Sequence, residues 1–255
     1  MSSKTISIPV RPESRVEKFP DEIPGYVVRP SGEVRGGLIV IHEVWGLVPH
    51  IKQVAERYAA EGYLVVAPDI LSSVGIESQI GYELHRDYSS PDESVRLAAQ
   101  PRAREAFAAF RVPEYAGWAV GALKAVVDYL LEQPGVDGRV AVTGFCFGGT
   151  YSFALAAADP RVRAAAPYYG TAPQPEAIAG IEAPIHAFYG QHDPALIEAL
   201  PGVREQMAAA GVDFEATVYP DAGHAFFNDT GANYRPDDAA DAWSKTLAFL
   251  AEKLG

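Results

Sequence analysis

Arg139-Val140-Ala141-Val142-Thr143 runs directly into Gly144-Phe145-Cys146-Phe147-Gly148-Gly149, and an apolar helix-length segment from Thr150 to Ala158 follows. The first part reads as a buried strand and the last as a helix. The chain must bend sharply between them. Glycines on both sides of the cysteine remove the side chains that would keep the backbone from passing close to itself. A strand-turn-helix of this kind lifts a nucleophile to the carboxyl end of a sheet. Cys146 also opens a helix, where free N–H groups and the macrodipole favour a thiolate. A lone cysteine is more often a small buried hydrophobe, and it is the Gly-x-Cys-x-Gly setting that favours the nucleophile. The same turn is a poor phosphate cradle. Thr150 and Tyr151 stand where a phosphate loop needs lysine, and Gly-x-Cys breaks the dinucleotide fingerprint.

Outward from this turn, short apolar runs alternate with amphipathic segments. Strands are expected at 37–41, 63–67, 139–143, 164–169, 184–189 and 214–219, and helices at 50–61, 117–132, 147–158, 201–210 and 237–253. Continuous apolar strands interleaved with helices predict a mostly parallel central sheet covered on both faces, an α/β architecture. No linker or repeat divides the chain, so residues 25–255 are expected to form one domain. Residues 1–24, polar and proline-bearing, are expected to be an N-terminal arm or extension. Residues 72–114 lack strand character and read as a lid or pocket wall.

The 255 residues suffice for a large core, with 48% apolar and 21% charged residues, as in ordinary globular proteins. Asp and Glu total 33 against 21 Lys and Arg, giving a formal charge of -12. That field repels phosphate backbones and anionic lipid surfaces, so neither nucleic acid nor membrane is an expected partner. An anionic substrate would need a local arginine. The single cysteine cannot form an internal disulfide, and the first residues lack a secretory apolar run, which predicts a cytoplasmic location. No apolar stretch is long enough to span a bilayer.

A nucleophile of this kind needs a base and an acid, following it in that fold in the order nucleophile, acid, histidine. Asp193 follows the strand at 184–189 and His224 the strand at 214–219, so both fall on carboxyl-end loops. Alone, Asp193 reads as a turn aspartate and His224 as a loop histidine; in this order and with this turn they read as a triad. His224 would move the proton and Asp193 would fix its tautomer. His186 reads as a core histidine, His50 as a helix start and His85 as a lid residue. His42-Glu43 lacks a second histidine at helical spacing, so no metal site is expected. After the first strong strand, Val44 N–H is the expected second oxyanion donor beside Phe147 N–H.

The combined pieces are His42-Glu43-Val44-Trp45-Gly46, Ala67-Pro68-Asp69, Gly-Phe-Cys146-Phe-Gly-Gly, Tyr168-Tyr169-Gly170, Gly-Gln-His-Asp193 and Ala-Gly-His224-Ala-Phe. Together they resemble the dienelactone hydrolase (carboxymethylenebutenolidase) family over about residues 25–252. The resemblance implies an α/β-hydrolase fold and hydrolysis of a lactone or activated ester through a thiol ester on Cys146, with no cofactor. It implies that Glu43 holds the resting thiol and assists its deprotonation. Trp45, Tyr169 and Asn228 are then expected at the substrate. Enzymes of the family that open dienelactone use an arginine four residues after the histidine, where this chain has Asn228, so the carboxylate clamp is incomplete. Arg86, Arg102 or Arg104 are the expected substitutes. Two other functions are carried forward: a thioesterase or acyltransferase on the same triad, and a non-catalytic ligand-binding protein that kept the fold.

Overall fold

The computed structural model describes residues 1–255. Eight strands form one sheet in the order β1-β2-β4-β3-β5-β6-β7-β8. These are β1 (Ser2–Pro9), β2 (Glu22–Arg29), β3 (Gly36–Ile41), β4 (Tyr63–Pro68), β5 (Val140–Phe145), β6 (Val162–Tyr168), β7 (Ile185–Gly190) and β8 (Phe214–Tyr219). From β4 through β3 to β8 all pairings are parallel. Every residue of β3, β4, β5 and β7 is buried, as a strand covered on both faces requires. Each buried Val, Leu or Ile in these strands contributes about 1.5–3 kcal/mol.

The two N-terminal strands run the other way. β1 pairs antiparallel with β2 along its whole length, and β2 pairs antiparallel with β4. Residues 1–24, expected as an arm, therefore supply the sheet's edge strand and the start of its neighbour. β1 is mostly exposed and polar, as suits an edge.

Helices α1 (Pro49–Ala60), α4 (Pro113–Leu131), α5 (Phe147–Ala158), α7 (Pro194–Ala209) and α8 (Pro236–Leu254) cover the sheet, with a single-turn α6 (Pro175–Ile178). One apolar layer gathers Tyr115, Trp118, Leu123 and Phe153 on one face, and another gathers Tyr58, Tyr168, Phe188 and Phe226 on the opposite face. Residues 72–114 hold helices α2 (Ser78–Tyr88) and α3 (Glu93–Ala108), which pack on each other above the carboxyl ends of the strands. Trp45, on the loop after β3, ties this pair down. Its ring lies 5.3 Å from His85, 5.6 Å from Tyr88 and 5.6 Å from Phe107. No helix is long and apolar enough to cross a membrane.

Candidate active site

Cys146 sits between β5 and α5 at φ 55° and ψ −112°. A non-glycine residue there carries strain of order 1–3 kcal/mol, held by the Cys146 N–H bond to the Tyr168 carbonyl (3.0 Å) and by Thr150 N–H on the Cys146 carbonyl (3.0 Å). The flanking glycines make the turn possible by close approach. A Cβ on Gly144 would lie 2.3 Å from the Gly148 carbonyl oxygen, and one on Gly148 would lie 2.2 Å from that of Ile41. The second contact brings the end of β3 against the start of α5. The thiol is half-buried.

Asp193 follows β7 as the N-cap residue of α7, and His224 follows β8. His224 Nδ1 and Asp193 Oδ2 are 2.5 Å apart, with the carboxylate largely buried and the ring half-exposed. Burial disfavours the charged ring. The Asp193 hydrogen bond, the nearby Cys146 sulfur and the charges of both overcome this and hold the His224 pKa up at about 10. Asn233 Nδ2 donates to the His224 carbonyl (2.9 Å), fixing the loop, and Ala225 takes the turn at φ 63°.

Glu43 is 2% exposed. Burial drives its pKa up, and the Asn228 Nδ2 hydrogen bond (2.6 Å), the His224 charge and the nearby Tyr169 hydroxyl pull it back, leaving about 7. The loop bearing Glu43 is anchored by His42, a buried side chain that reading for metal ligands passed over. His42 Nε2 accepts the Ile70 N–H (3.3 Å), so Nδ1 carries the proton and donates to the Glu43 carbonyl (2.7 Å). Gly46 N–H meets the same carbonyl. Val44 N–H has no acceptor in the protein. Phe147 N–H, at the first position of α5, has no intrahelical acceptor.

Glu43, Val44, Trp45, Cys146, His224 and Asn228 line one cavity of about 560 Å³, and α2 and α3 add His85, Tyr88, Arg96 and Phe107 to its wall. Asp193 stands behind His224, outside the cavity wall. Tyr169 also lies behind it. Its ring is 5.1 Å from the His224 ring, the side chain is buried with φ 37°, and it is not among the residues that line the cavity.

The three arginines expected from the lid are not in this cavity. Arg86 bonds Asp87 and lines a neighbouring hollow, Arg102 bonds the other oxygen of Asp87, and Arg104 is exposed. Arg96 lines the cavity in their stead. It has no carboxylate partner, and its Nη1 donates to the Ser90 and Pro91 carbonyls. Helix geometry explains the exchange. Positions 96, 99, 103 and 107 share one face of α3, and Ala99 and Ala103 are buried on it, whereas 102 and 104 point elsewhere. The spacing from Arg96 through Ala99 and Ala103 to Phe107 was the available signal.

The model of the dienelactone hydrolase family matches residues 23–254. A protein of Saccharolobus solfataricus that bears the provisional name carboxymethylenebutenolidase is 34% identical over 229 residues, 84% of this chain and 88% of that one. A crystal structure from Klebsiella pneumoniae, provisionally named a dienelactone hydrolase, superposes with a TM-score of 0.77 at 26% identity, over 99% of this chain and 100% of that one. The dienelactone hydrolase of Anabaena variabilis shares the fold at a TM-score of 0.64 and 20% identity, over 99% of this chain and 96% of that one. With the sheet order and the matched span, the chain belongs to the dienelactone hydrolase family, carboxylic ester and lactone hydrolases of the α/β-hydrolase fold.

Proposed function

We propose that the chain hydrolyses ester or lactone bonds through a thiol ester on Cys146, with His224 and Asp193 as base and acid. The observation that carries this reading is a strained cysteine sharing one cavity with Glu43 and with a histidine held 2.5 Å from Asp193. The Cys146 thiolate attacks the carbonyl carbon, and the oxyanion is met by the Phe147 and Val44 amides. Each such donor lowers the barrier by about 3–4 kcal/mol by analogy with measured cases. As the intermediate collapses, the C–O bond breaks and the leaving alkoxide takes a proton from His224. Water, losing a proton to His224, then attacks the thiol ester and releases the acid and the thiolate. Asp193 keeps the imidazole in one tautomer throughout.

Glu43 holds the resting thiol and, when ionised, draws its proton as substrate arrives. Asn228, which takes the place of a clamp arginine, donates to Glu43 and sets how readily it ionises. Arg96 is then the group that receives a substrate carboxylate, a local positive charge in a chain of net charge -12. Replacing Cys146 with alanine tests the scheme, with p-nitrophenyl acetate as substrate and the melting curve as control. Hydrolysis falls to background in a folded variant; wild-type rates would assign the nucleophile elsewhere.

A further inference from the structure

The loop between β3 and α1, which carries Glu43, Val44 and Trp45, rests against one face of α2. Ser78, Gly81, His85 and Tyr88 follow one another at steps of three and four residues, a spacing that puts them on one side of the helix. All four face residues 45–47. Ser78 Oγ donates to the Leu47 carbonyl at 2.9 Å, and the His85 and Tyr88 rings lie 5.3 and 5.6 Å from that of Trp45. Gly81 makes the tightest approach: a Cβ there would lie 1.7 Å from the Trp45 carbonyl oxygen and 2.7 Å from its carbon. Glycine is a poor helix former, and that contact explains its place inside α2. We propose that Gly81 is a positioning residue, through which α2 sets the Val44 amide at the oxyanion. The proposal rests on the thiol-ester reading above.

The link runs through two peptide groups. The Trp45 carbonyl that meets Gly81 belongs to the same peptide as the Gly46 N–H, which donates to the Glu43 carbonyl at 3.1 Å. The Glu43 carbonyl in turn shares a peptide with the Val44 N–H, the oxyanion donor of the scheme. His42 Nδ1 also donates to the Glu43 carbonyl, at 2.7 Å. Peptide groups are planar, so displacing the first tilts the second. α2 is itself fixed. Gly81 and Leu84 are buried, Ile76 just before the helix is fully buried, and α2 packs on α3. A methyl group added at 1.7 Å, where ordinary contact begins at 3.4 Å, therefore moves the 45–46 peptide and with it the Val44 N–H. Misplacing a catalytic group by about 1 Å can cost about 100-fold in rate. α2 is then part of the catalytic frame and not a flap that swings clear of it.

The test compares p-nitrophenyl acetate with O-p-nitrophenyl thioacetate, in which C=S replaces C=O, by the rate at which each releases p-nitrophenolate in the first turnover. The two differ in one atom, so the ratio of ester to thiono rate is independent of the amount of folded enzyme and of contacts elsewhere in the cavity. Amides spaced for an oxyanion favour the ester. Gly81→Ala is expected to lower the ester rate about 100-fold and the ratio about 10-fold. Ser78→Ala, which frees the Leu47 carbonyl, lowers the ratio about 3-fold, and Ser78→Thr restores it. Gly117→Ala, at an exposed helical glycine with nothing within 4 Å, keeps the wild-type ratio. A ratio unchanged in Gly81→Ala overturns the proposal, whether or not the ester rate falls. Should that variant not fold, a ratio unchanged in Ser78→Ala overturns it. Failure of the underlying reading has a different signature: the wild type would show the ratio of a free small thiol, or Cys146→Ala would keep the ester rate.

Discussion

Asn228→Ala is expected to move the acid limb of the pH-rate profile upward. The Asn228 amide donates to Glu43 Oε2 at 2.6 Å in a site where both side chains are buried. A hydrogen bond to a charged acceptor contributes about 1.5–3 kcal/mol, and one pKa unit corresponds to about 1.36 kcal/mol. The bond favours the carboxylate, so its loss raises the Glu43 pKa by about 1–2 units from its starting value of about 7. Glu43 acts as the carboxylate, so kcat/KM rises with pH through that pKa, and the variant needs a more alkaline medium to reach its plateau. The assay is kcat/KM for p-nitrophenyl acetate against pH, corrected for spontaneous hydrolysis. A melting curve reports any damage from losing the Thr230 bonds to the same amide. An acid limb that stays in place, or moves down, would refute the link between Asn228 and the ionisation of Glu43.

Glu43→Gln removes that limb and also alters stability. The folded pKa of Glu43, about 7, lies above the ordinary value of 4.5, so ionisation works against the fold. Its destabilising effect is absent below pH 4.5, grows as pH rises toward 7 and reaches about 3 kcal/mol above that. The glutamine variant should match the wild type in denaturant unfolding at pH 4 and exceed it at pH 8; equal stability at pH 8 would contradict the burial argument. Arg96→Gln should lower kcat/KM about 10- to 100-fold for an ester bearing a carboxylate on its acyl side and leave a neutral ester of the same size within a few-fold. Parallel losses on both esters would remove Arg96 from substrate charge recognition.

The inner parallel strands were readable because burial on both faces forces unbroken apolar runs, as at Leu38-Ile39-Val40-Ile41 and Val140-Ala141-Val142, whereas the edge strand β8 is only half-buried and carries Glu215 and Thr217. The antiparallel pair was not. β1 is an exposed edge of Ser, Lys and Thr, and β2 carries Pro24 and Gly25, residues that argue against a strand when only propensity is available. Gly25 is required there because a Cβ would come within 2.9 Å of Ile8 Cδ1, a contact visible only once the two strands are paired. Cys146, Asp193 and His224 could be chosen because each follows a strand directly, and strand ends share one edge. The lid residues follow no strand, so distance along the chain says little about which of them reach the cavity. Asn228 read as the loss of an arginine; in three dimensions it faces Glu43, a pairing across most of the chain that no local pattern encodes.

The scheme turns on a covalent bond between the substrate acyl carbon and the Cys146 sulfur. Acid quench of the enzyme during turnover of p-nitrophenyl acetate, followed by peptide mapping by mass spectrometry, detects that bond. One acetyl group on the peptide containing Cys146, labile to hydroxylamine at neutral pH and accumulating further in His224→Ala, is the predicted result. An acetyl group on a different residue, or sustained hydrolysis by Cys146→Ala, would contradict it.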